Sequence, residues 1–150
     1  ELDLVEIGLR AGETALDIGA NYGLYAYYMS RAVGKSGKVY SFEPVPFTFA
    51  SLKIVAKLLG FSHNVEIVGK GCGSENAKIT FTIPVQQSGA VSAGLSYISG
   101  RNDDRAGKET QVRWQATTDV EAEIVRLDDF LSEIEDLPFV KMDIEGAEYF

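Results

Sequence analysis

The sequence predicts a three-layer α/β fold with a mostly parallel sheet, and three observations carry this prediction. Segments with strand-like and helix-like patterns alternate through the first half of the chain, which is the rhythm of a doubly wound sheet. A Gly-rich turn from Gly19 to Gly23 joins the first strand to the first helix. Later segments alternate apolar with polar residues, which indicates an antiparallel addition around residues 77–126.

The first strand and the first helix flank the Gly-rich turn. Leu16 and Ile18 indicate a buried strand between Gly12 and Gly19, and residues 24–32 follow with helical periodicity. Because the turn glycines lack a β-carbon, a ligand and the helix can approach the backbone closely. The residues predicted to share the apolar face of this helix are Tyr25, Tyr28, Met29 and Ala32.

Two further strands and a second helix continue the alternation. Strands are predicted at residues 38–42 and 65–68, separated by a helix from Pro46 to Leu59. The apolar face of this helix comprises Leu52, Val55, Ala56 and Leu59. The third strand leads into a flexible turn at residues 69–73, on the edge where parallel sheets bind ligands.

The second half of the chain departs from this rhythm. One alternating strand is predicted to end at Pro84, and a long loop over residues 85–118 connects it to a second alternating strand. The alternating apolar residues are Ile79, Phe81, Ile83, Val120, Ala122 and Ile124. Loops of this length are usually functional or disordered, and nothing in the sequence assigns a role to this one.

A short helix and a last strand complete the chain. The helix is predicted to begin at Asp128 or Asp129 and to stop at Pro138. Its apolar face comprises Leu127, Phe130, Leu131 and Ile134. The strand, at residues 139–144, leads into three carboxylates at the start of a further helix, namely Asp143, Glu145 and Glu148.

Composition limits the class of protein. The 150 residues are 45% hydrophobic, which suits a single domain over residues 1–150. The net charge of −8 disfavours nucleic acid as a partner, and no apolar run is long enough for a membrane span. The single Cys72 fits a cytoplasmic protein.

Since the pattern of a helix is cut at Phe150, we expect the domain to lack its last strands. The oligomeric state is not indicated.

The chemistry of the turn separates two classes of cofactor. A dinucleotide site uses G-x-G-x-x-G, whose bare amides face a pyrophosphate. Here the order is Asp17-x-Gly19-x-Asn21-x-Gly23, and the carboxylate repels a pyrophosphate but attracts a cationic group. S-adenosylmethionine carries a sulfonium and an ammonium, and this arrangement resembles the cofactor loop of the class I methyltransferases. The resemblance implies a Rossmann-like fold.

The other predicted cofactor contacts follow the second and third strands. Glu43, at the end of the second strand, is predicted to accept hydrogen bonds from the ribose hydroxyls of an adenosine cofactor. The alternative is a favourable charge at the start of the following helix. Asp17 is predicted to lie near the amino group of the cofactor, directly or through water. The backbone of Gly71 and Cys72 is predicted to face the adenine.

Two roles are open for the carboxylates after the last strand. Asp143 is the candidate catalytic residue, because an attacking hydroxyl must lose its proton to a base. Alternatively, Asp143 and Glu145 hold a Mg²⁺ ion that lowers the pKa of the acceptor. The simpler interpretation is that these acids, and Glu148 with them, stabilise the start of the next helix.

Four sequence blocks resemble one family. They are ALDIGANYG at residues 15–23, SFEP at 41–44, RLDDF at 126–130 and VKMDIEGAE at 140–148. Together they look like the FkbM-type methyltransferases. The resemblance implies transfer of a methyl group from S-adenosylmethionine to a hydroxyl of a small molecule, sugar or secondary metabolite. It also implies further strands after Phe150.

Two other functions stay open on the sequence alone. One is an NAD-type oxidoreductase domain, which would bind a dinucleotide instead. The other is a non-catalytic module that keeps the cofactor fold for partner binding. A comparison of which cofactors bind distinguishes the oxidoreductase domain from a methyltransferase. A measurement of turnover distinguishes the non-catalytic module from an enzyme.

Overall fold

Four parallel strands form the central sheet of the protein, seen in a computed structural model that describes residues 5, 8–86, 97–98, 114–132, 134 and 139–144. In chain order the elements are β1 (Thr14–Ile18), α1 (Leu24–Val33), β2 (Lys38–Phe42), α2 (Pro46–Leu58), β3 (Val65–Val68), β4 (Gly71–Gly73), β5 (Ala77–Gln86), β6 (Tyr97–Ile98), β7 (Trp114–Arg126), α3 (Leu127–Leu131) and β8 (Phe139–Met142). The central sheet has the order β3-β2-β1-β8, and all of its pairs are parallel. The predicted alternation of parallel strands and helices is therefore confirmed.

Helices α1 and α2 cover one face of this sheet. Their buried side chains pack with Ala15, Val39 and Val65 from the strands. The opposite face is covered by β7 and α3, whose Val125 and Phe130 contact a cluster of strand residues. That cluster consists of Leu16, Ile18 and Phe42. The central sheet thus lies between two covering layers, as the predicted three-layer fold requires.

The predicted apolar faces of the helices were partly wrong. In α1 the buried residues are Ala26, Met29, Ser30 and Val33, while Tyr25, Tyr28 and Ala32 lie at the rim of the core. In α2, Leu52 and Ala56 are buried as predicted, but Leu59, which follows the end of the helix at Leu58, is 59% exposed. The buried face of α1 therefore includes Ala26 and Ser30, which the periodicity of large apolar residues does not single out.

A second sheet has the order β4-β7-β5-β6 and contains the predicted antiparallel addition. Two details differ from the prediction. Residues 71–73 are a strand paired in parallel with β7, rather than part of a flexible turn. Pro84 does not end β5, which continues to Gln86. Proline is tolerated there because β6 pairs with β5 only at Phe81 and Thr82, which leaves one edge open among the described residues.

The predicted loop over residues 85–118 is shorter than expected. β5 extends into its start, β7 begins within it at Trp114, and β6 lies inside it. The rest of the loop lies outside the described residues. Helix α3 begins at Leu127 with Arg126 as its N-cap, so Asp128 and Asp129 lie in its first turn rather than at its cap.

The order of the strands fixes where a ligand is expected. Two consecutive crossovers run from β1 to β2 and β3, and the chain then returns to the other side of β1 to form β8. In open parallel sheets, ligands bind at the carboxyl ends of the strands where the order reverses. That place lies between β1 and β8. No helix in the described part of the chain is long and apolar enough to cross a membrane.

We predict that Gly23→Ala destabilises the protein by about 2–5 kcal/mol. Gly23 has φ of +89°, and an added β-carbon would overlap the Cδ1 atom of Leu52, which is fully buried. Gly60→Ala is the matched control, since Gly60 has φ of +74° but nothing within 4 Å of the added carbon. The control should cost only about 1 kcal/mol. Urea denaturation measures both, and equal losses would contradict the packing role of Gly23.

Candidate active site

The turn after β1 is held by its own backbone. The amides of Gly19 and Ala20 both donate to the carbonyl oxygen of Phe42, at 3.0 and 2.9 Å. The amide of Gly23 donates to the carbonyl of Ala20 at 2.8 Å. The amide of Asn21 donates to the Glu43 carboxylate at 2.9 Å. Four amides of this turn are therefore bonded within the protein.

The two glycines of the turn are required by close contacts within the protein. Gly19 has φ of +76°, and an added β-carbon would overlap the carbonyl oxygen of Asp143. An added β-carbon on Gly23 would likewise overlap Leu52, so glycine is also required at the start of α1. The sequence predicted that glycine admits a ligand and a helix to the backbone. The described contacts show that Gly19 admits the end of β8 and Gly23 admits α2, while the approach of a ligand stays a prediction.

Glu43 joins the turn after β1 to the start of α2. Its Oε2 accepts the amide hydrogen of Asn21, and its Oε1 accepts that of Val45, both at 2.9 Å. Burial raises the pKa of the Glu43 carboxyl above its ordinary value, and the two amide hydrogen bonds oppose this rise. A carboxylate has about four acceptor positions, so acceptor capacity remains for ligand hydroxyls.

Asp17 lies at the end of β1 and is fully buried. Neither of its carboxylate oxygens accepts a hydrogen bond that meets strict geometry, although the ammonium of Lys141 and the amide of Ala26 lie close enough to lower the pKa of its carboxyl. Burial raises the pKa of the Asp17 carboxyl, and the positive charge of Lys141 is the strongest influence in the opposite direction. A buried carboxylate with unfilled acceptor positions is costly, which marks this place as a candidate ligand site.

Lys141 supplies the counter-charge for Asp17. Its Nζ atom is 3.3 Å from Oδ1 of Asp17 and 3.9 Å from Oδ2 of Asp143, and it donates to the carbonyl oxygen of Gly19 at 3.1 Å. The ring of Tyr25 lies 4.7 Å from this atom, measured to the ring centroid. Lys141 thus connects β8 to the turn after β1 and to α1.

Asp143 follows β8 directly and lies beside the end of β1, as predicted. Its amide donates to the carbonyl oxygen of Ile18 at 3.0 Å, which continues the pairing of the two strands. The side chain is 61% exposed. Asp17 and Asp143 therefore flank the same ammonium, but only Asp143 faces solvent to this extent.

The structure brings the predicted site residues together in two groups. Asp17, Gly19 and Asp143 meet around Lys141, while Asn21 and Glu43 share a hydrogen bond. Gly71 is separate from both groups. It lies in β4 and packs against Pro44, the residue after Glu43, since an added β-carbon there would lie 3.4 Å from the Pro44 ring.

Cys72 packs against the apolar cluster beneath the sheet. Burial raises the pKa of its thiol to about 12, so the thiol stays protonated near neutral pH. It is therefore not a nucleophile in this site. The predicted contact of adenine with the backbone of Gly71 and Cys72 stays a prediction.

The predicted metal site has no support in the described residues. Glu145 and Glu148 lie outside them. Within the described part of the chain, no group of three or more His, Cys, Asp or Glu side chains is placed to hold a metal ion.

Lys141 is the residue that the sequence reasoning missed. A signal was present, because the strand Phe139–Met142 is parallel and such strands are usually apolar throughout. A lysine within this strand, two residues before the candidate catalytic Asp143, requires an acidic partner inside the fold. The partner, Asp17, is more than 120 residues away in sequence.

Comparison with known proteins identifies the family. The family model described as the Methyltransferase FkbM domain matches residues 17–150. The chain belongs to the FkbM methyltransferase domain family. A solved structure of methyltransferase FkbM from Methylobacillus flagellatus KT covers 99% of this chain with a TM-score of 0.53 and 17% identity, which supports the predicted Rossmann-like fold. The chain covers 34% of that structure.

Curated relatives extend the comparison of the FkbM domain. Methyltransferase 1 of Beauveria bassiana is 31% identical over an alignment of 143 positions, which covers 89% of this chain and 54% of the relative. Protein-L-isoaspartate O-methyltransferase 2 of Archaeoglobus fulgidus is 37% identical over 65 residues, which are 43% of this chain and 30% of the relative. The chain thus spans between about a third and about half of the length of these relatives.

We predict that Glu43→Ala lowers the free energy of unfolding by about 2–4 kcal/mol, because it leaves the amides of Asn21 and Val45 without an acceptor. The matched control is Glu66→Ala. Glu66 is an exposed acid on β3 whose ion pair with Lys38, at 2.9 Å, should contribute less than about 1 kcal/mol. Urea denaturation of both variants tests this, and a Glu43 variant as stable as the control would contradict the bridging role.

Proposed function

We propose that the protein transfers a methyl group from S-adenosylmethionine to a hydroxyl of a small molecule, sugar or secondary metabolite. Membership of the FkbM family supports methyl transfer. The Archaeoglobus relative, an O-methyltransferase by name, favours oxygen as the accepting atom. The acceptor class rests on the family resemblance in the four sequence blocks.

The observation that carries the choice of cofactor is the distribution of donors and acceptors around the turn. The amides of Gly19, Ala20 and Asn21 already donate within the protein, so they are not free to bind a pyrophosphate. Asp17, Glu43 and Asp143 supply three carboxylates, and Lys141 supplies one positive charge. This excess of negative charge and acceptors suits a cationic ligand that carries hydroxyls better than it suits a dinucleotide.

The residues of the chain would divide the work as follows. Glu43 would accept hydrogen bonds from the ribose hydroxyls with the acceptor capacity that its two amide bonds leave. The group bound there supplies an electrophilic methyl. Asp143, exposed at the end of β8, would orient the acceptor hydroxyl and take its proton. Much of the rate would come from holding the acceptor in line.

We predict that S-adenosylmethionine and S-adenosylhomocysteine raise the melting temperature of the full-length protein, while NAD does not. A ligand at 100 times its dissociation constant stabilises by about 2.7 kcal/mol, which corresponds to about 5–11 °C for a domain of this size. Glu43→Ala should lose most of the shift relative to its own ligand-free melting temperature, while Glu66→Ala should keep it. A shift with NAD alone, or no shift from a folded sample, would overturn the proposed cofactor.

We predict that Asp143→Asn keeps its affinity for S-adenosylhomocysteine within about threefold but loses 100-fold or more in transfer rate, on the order of a lost general base. Radiolabelled S-adenosylmethionine with a panel of sugars and hydroxylated metabolites first finds an acceptor for the wild-type protein. Asp128→Asn is the control, because Asp128 is an exposed acid of α3 paired with Arg126. Full activity of the Asp143 variant would rule out its catalytic role.

Dialysis of the wild-type protein against EDTA distinguishes the two roles for Asp143. A general base predicts unchanged transfer. Loss of transfer that Mg²⁺ restores would favour the metal-holding role instead.

A further inference from the structure

Lys141 presents a positive charge at the edge of the site. Its side chain is 15% exposed, whereas the Asp17 side chain beneath it is fully buried. The Lys141 side chain is therefore more accessible to a ligand than the Asp17 side chain. Among the described residues, Lys141 is the one cation within ion-pair distance of Asp17 or Asp143.

The ammonium is fixed in position by three different elements. The turn after β1 accepts one of its hydrogens at the carbonyl of Gly19, β1 supplies the Asp17 carboxylate, and α1 supplies the ring of Tyr25. An ammonium has three N–H donors. One bonds to the carbonyl of Gly19, and a second faces Oδ1 of Asp17 at 3.3 Å. One donor therefore remains for a ligand.

The charge balance of the site explains why a free N–H donor on Lys141 matters. S-adenosylmethionine has an amino-acid head group with an ammonium and a carboxylate. The ammonium is favoured by the surrounding acids, but the carboxylate is repelled by Asp17, Glu43 and Asp143 unless a cation faces it. Lys141 is placed to provide that cation.

We propose that Lys141 binds the carboxylate of the amino-acid head group of the cofactor and thereby selects the intact cofactor over its decarboxylated form. This inference rests on the proposed function. Asp17 then acts as a positioning residue, which holds the Lys141 ammonium at the edge of the site. The sequence-based prediction placed Asp17 near the amino group of the cofactor, directly or through water, and that contact stays a prediction.

The test is a cycle of two ligands and two proteins, measured by isothermal titration calorimetry on the full-length protein. The ligands are S-adenosylhomocysteine and its decarboxylated analogue, S-adenosyl-3-thiopropylamine. Both carry the same ammonium, so any effect of Lys141 that acts through the charge of Asp17 is common to both. The wild-type protein should bind S-adenosylhomocysteine about 10–100-fold more tightly, which is the range for one charge-assisted pair.

Lys141→Met should remove this preference, so that the two ligands bind with affinities within about threefold of each other. Lys141→Arg should restore most of it, because the positive charge is kept. Lys38→Met is the matched control: Lys38 is another strand lysine, paired with Glu66 and with the ring of Tyr40, and its loss should leave the preference unchanged.

Each outcome decides the matter. Equal binding of both ligands by the wild-type protein would overturn the inference without any variant, even if Lys141→Met fails to fold. So would equal losses for both ligands in Lys141→Met, which would leave Lys141 as a counter-ion for Asp17 alone. Failure of the folded wild-type protein to bind S-adenosylhomocysteine would instead overturn the proposed function.

Discussion

The contact between the turn after β1 and the end of β8 determines the rest of the site. Gly19 lies so close to the carbonyl oxygen of Asp143 that a β-carbon has no room, and the Asp143 amide bonds to Ile18 on the same strand end. This contact joins two segments that are far apart in sequence. Because the two backbones lie this close, the side chains of Asp17, Lys141 and Asp143 come together, with the Lys141 ammonium 3.3 Å from Asp17 and 3.9 Å from Asp143.

The two aspartates that flank Lys141 differ in burial. Asp17 is buried and has its pKa raised by that burial, while Asp143 is largely exposed. A buried carboxylate costs free energy unless a cation compensates it, and Lys141 provides the compensation. The same ammonium is thereby held away from bulk solvent. Charge interactions in the protein interior are stronger than in water. A single lysine thus stabilises the buried acid and keeps a positive charge available at the edge of the site.

Much of the fold could be predicted because its signals are local. The bounds of β2 and β3 were predicted to the residue, since short apolar runs between glycine, proline and polar residues define them. The faces of the helices were less accurate. The aromatic residues of α1 led to the prediction of Tyr25 and Tyr28, yet the buried positions include Ala26 and Ser30, whose hydroxyl donates to Asn64. Sequence periodicity does not report how near a helix approaches its neighbours.

The pairings that build the site could not be predicted from local patterns. The strand Gly71–Gly73 looked like a turn because three small residues carry no periodic signal, and its pairing with β7 is set by distant residues. The ion pair of Asp17 with Lys141 is likewise a product of strand order. The sequence placed each acid at the end of a strand, but the order β3-β2-β1-β8 decides which strand ends are adjacent.

The backbone of the turn also bears on which class of cofactor the site suits. A dinucleotide loop leaves its amides bare, so the backbone itself binds the anion. In this FkbM domain the amides of Gly19 and Ala20 are bonded to Phe42, and that of Asn21 is bonded to Glu43. These three backbone donors hold the turn, and the side chains around it supply carboxylate acceptors and one ammonium. The charges of these side chains favour a zwitterionic, hydroxyl-bearing ligand over a phosphate.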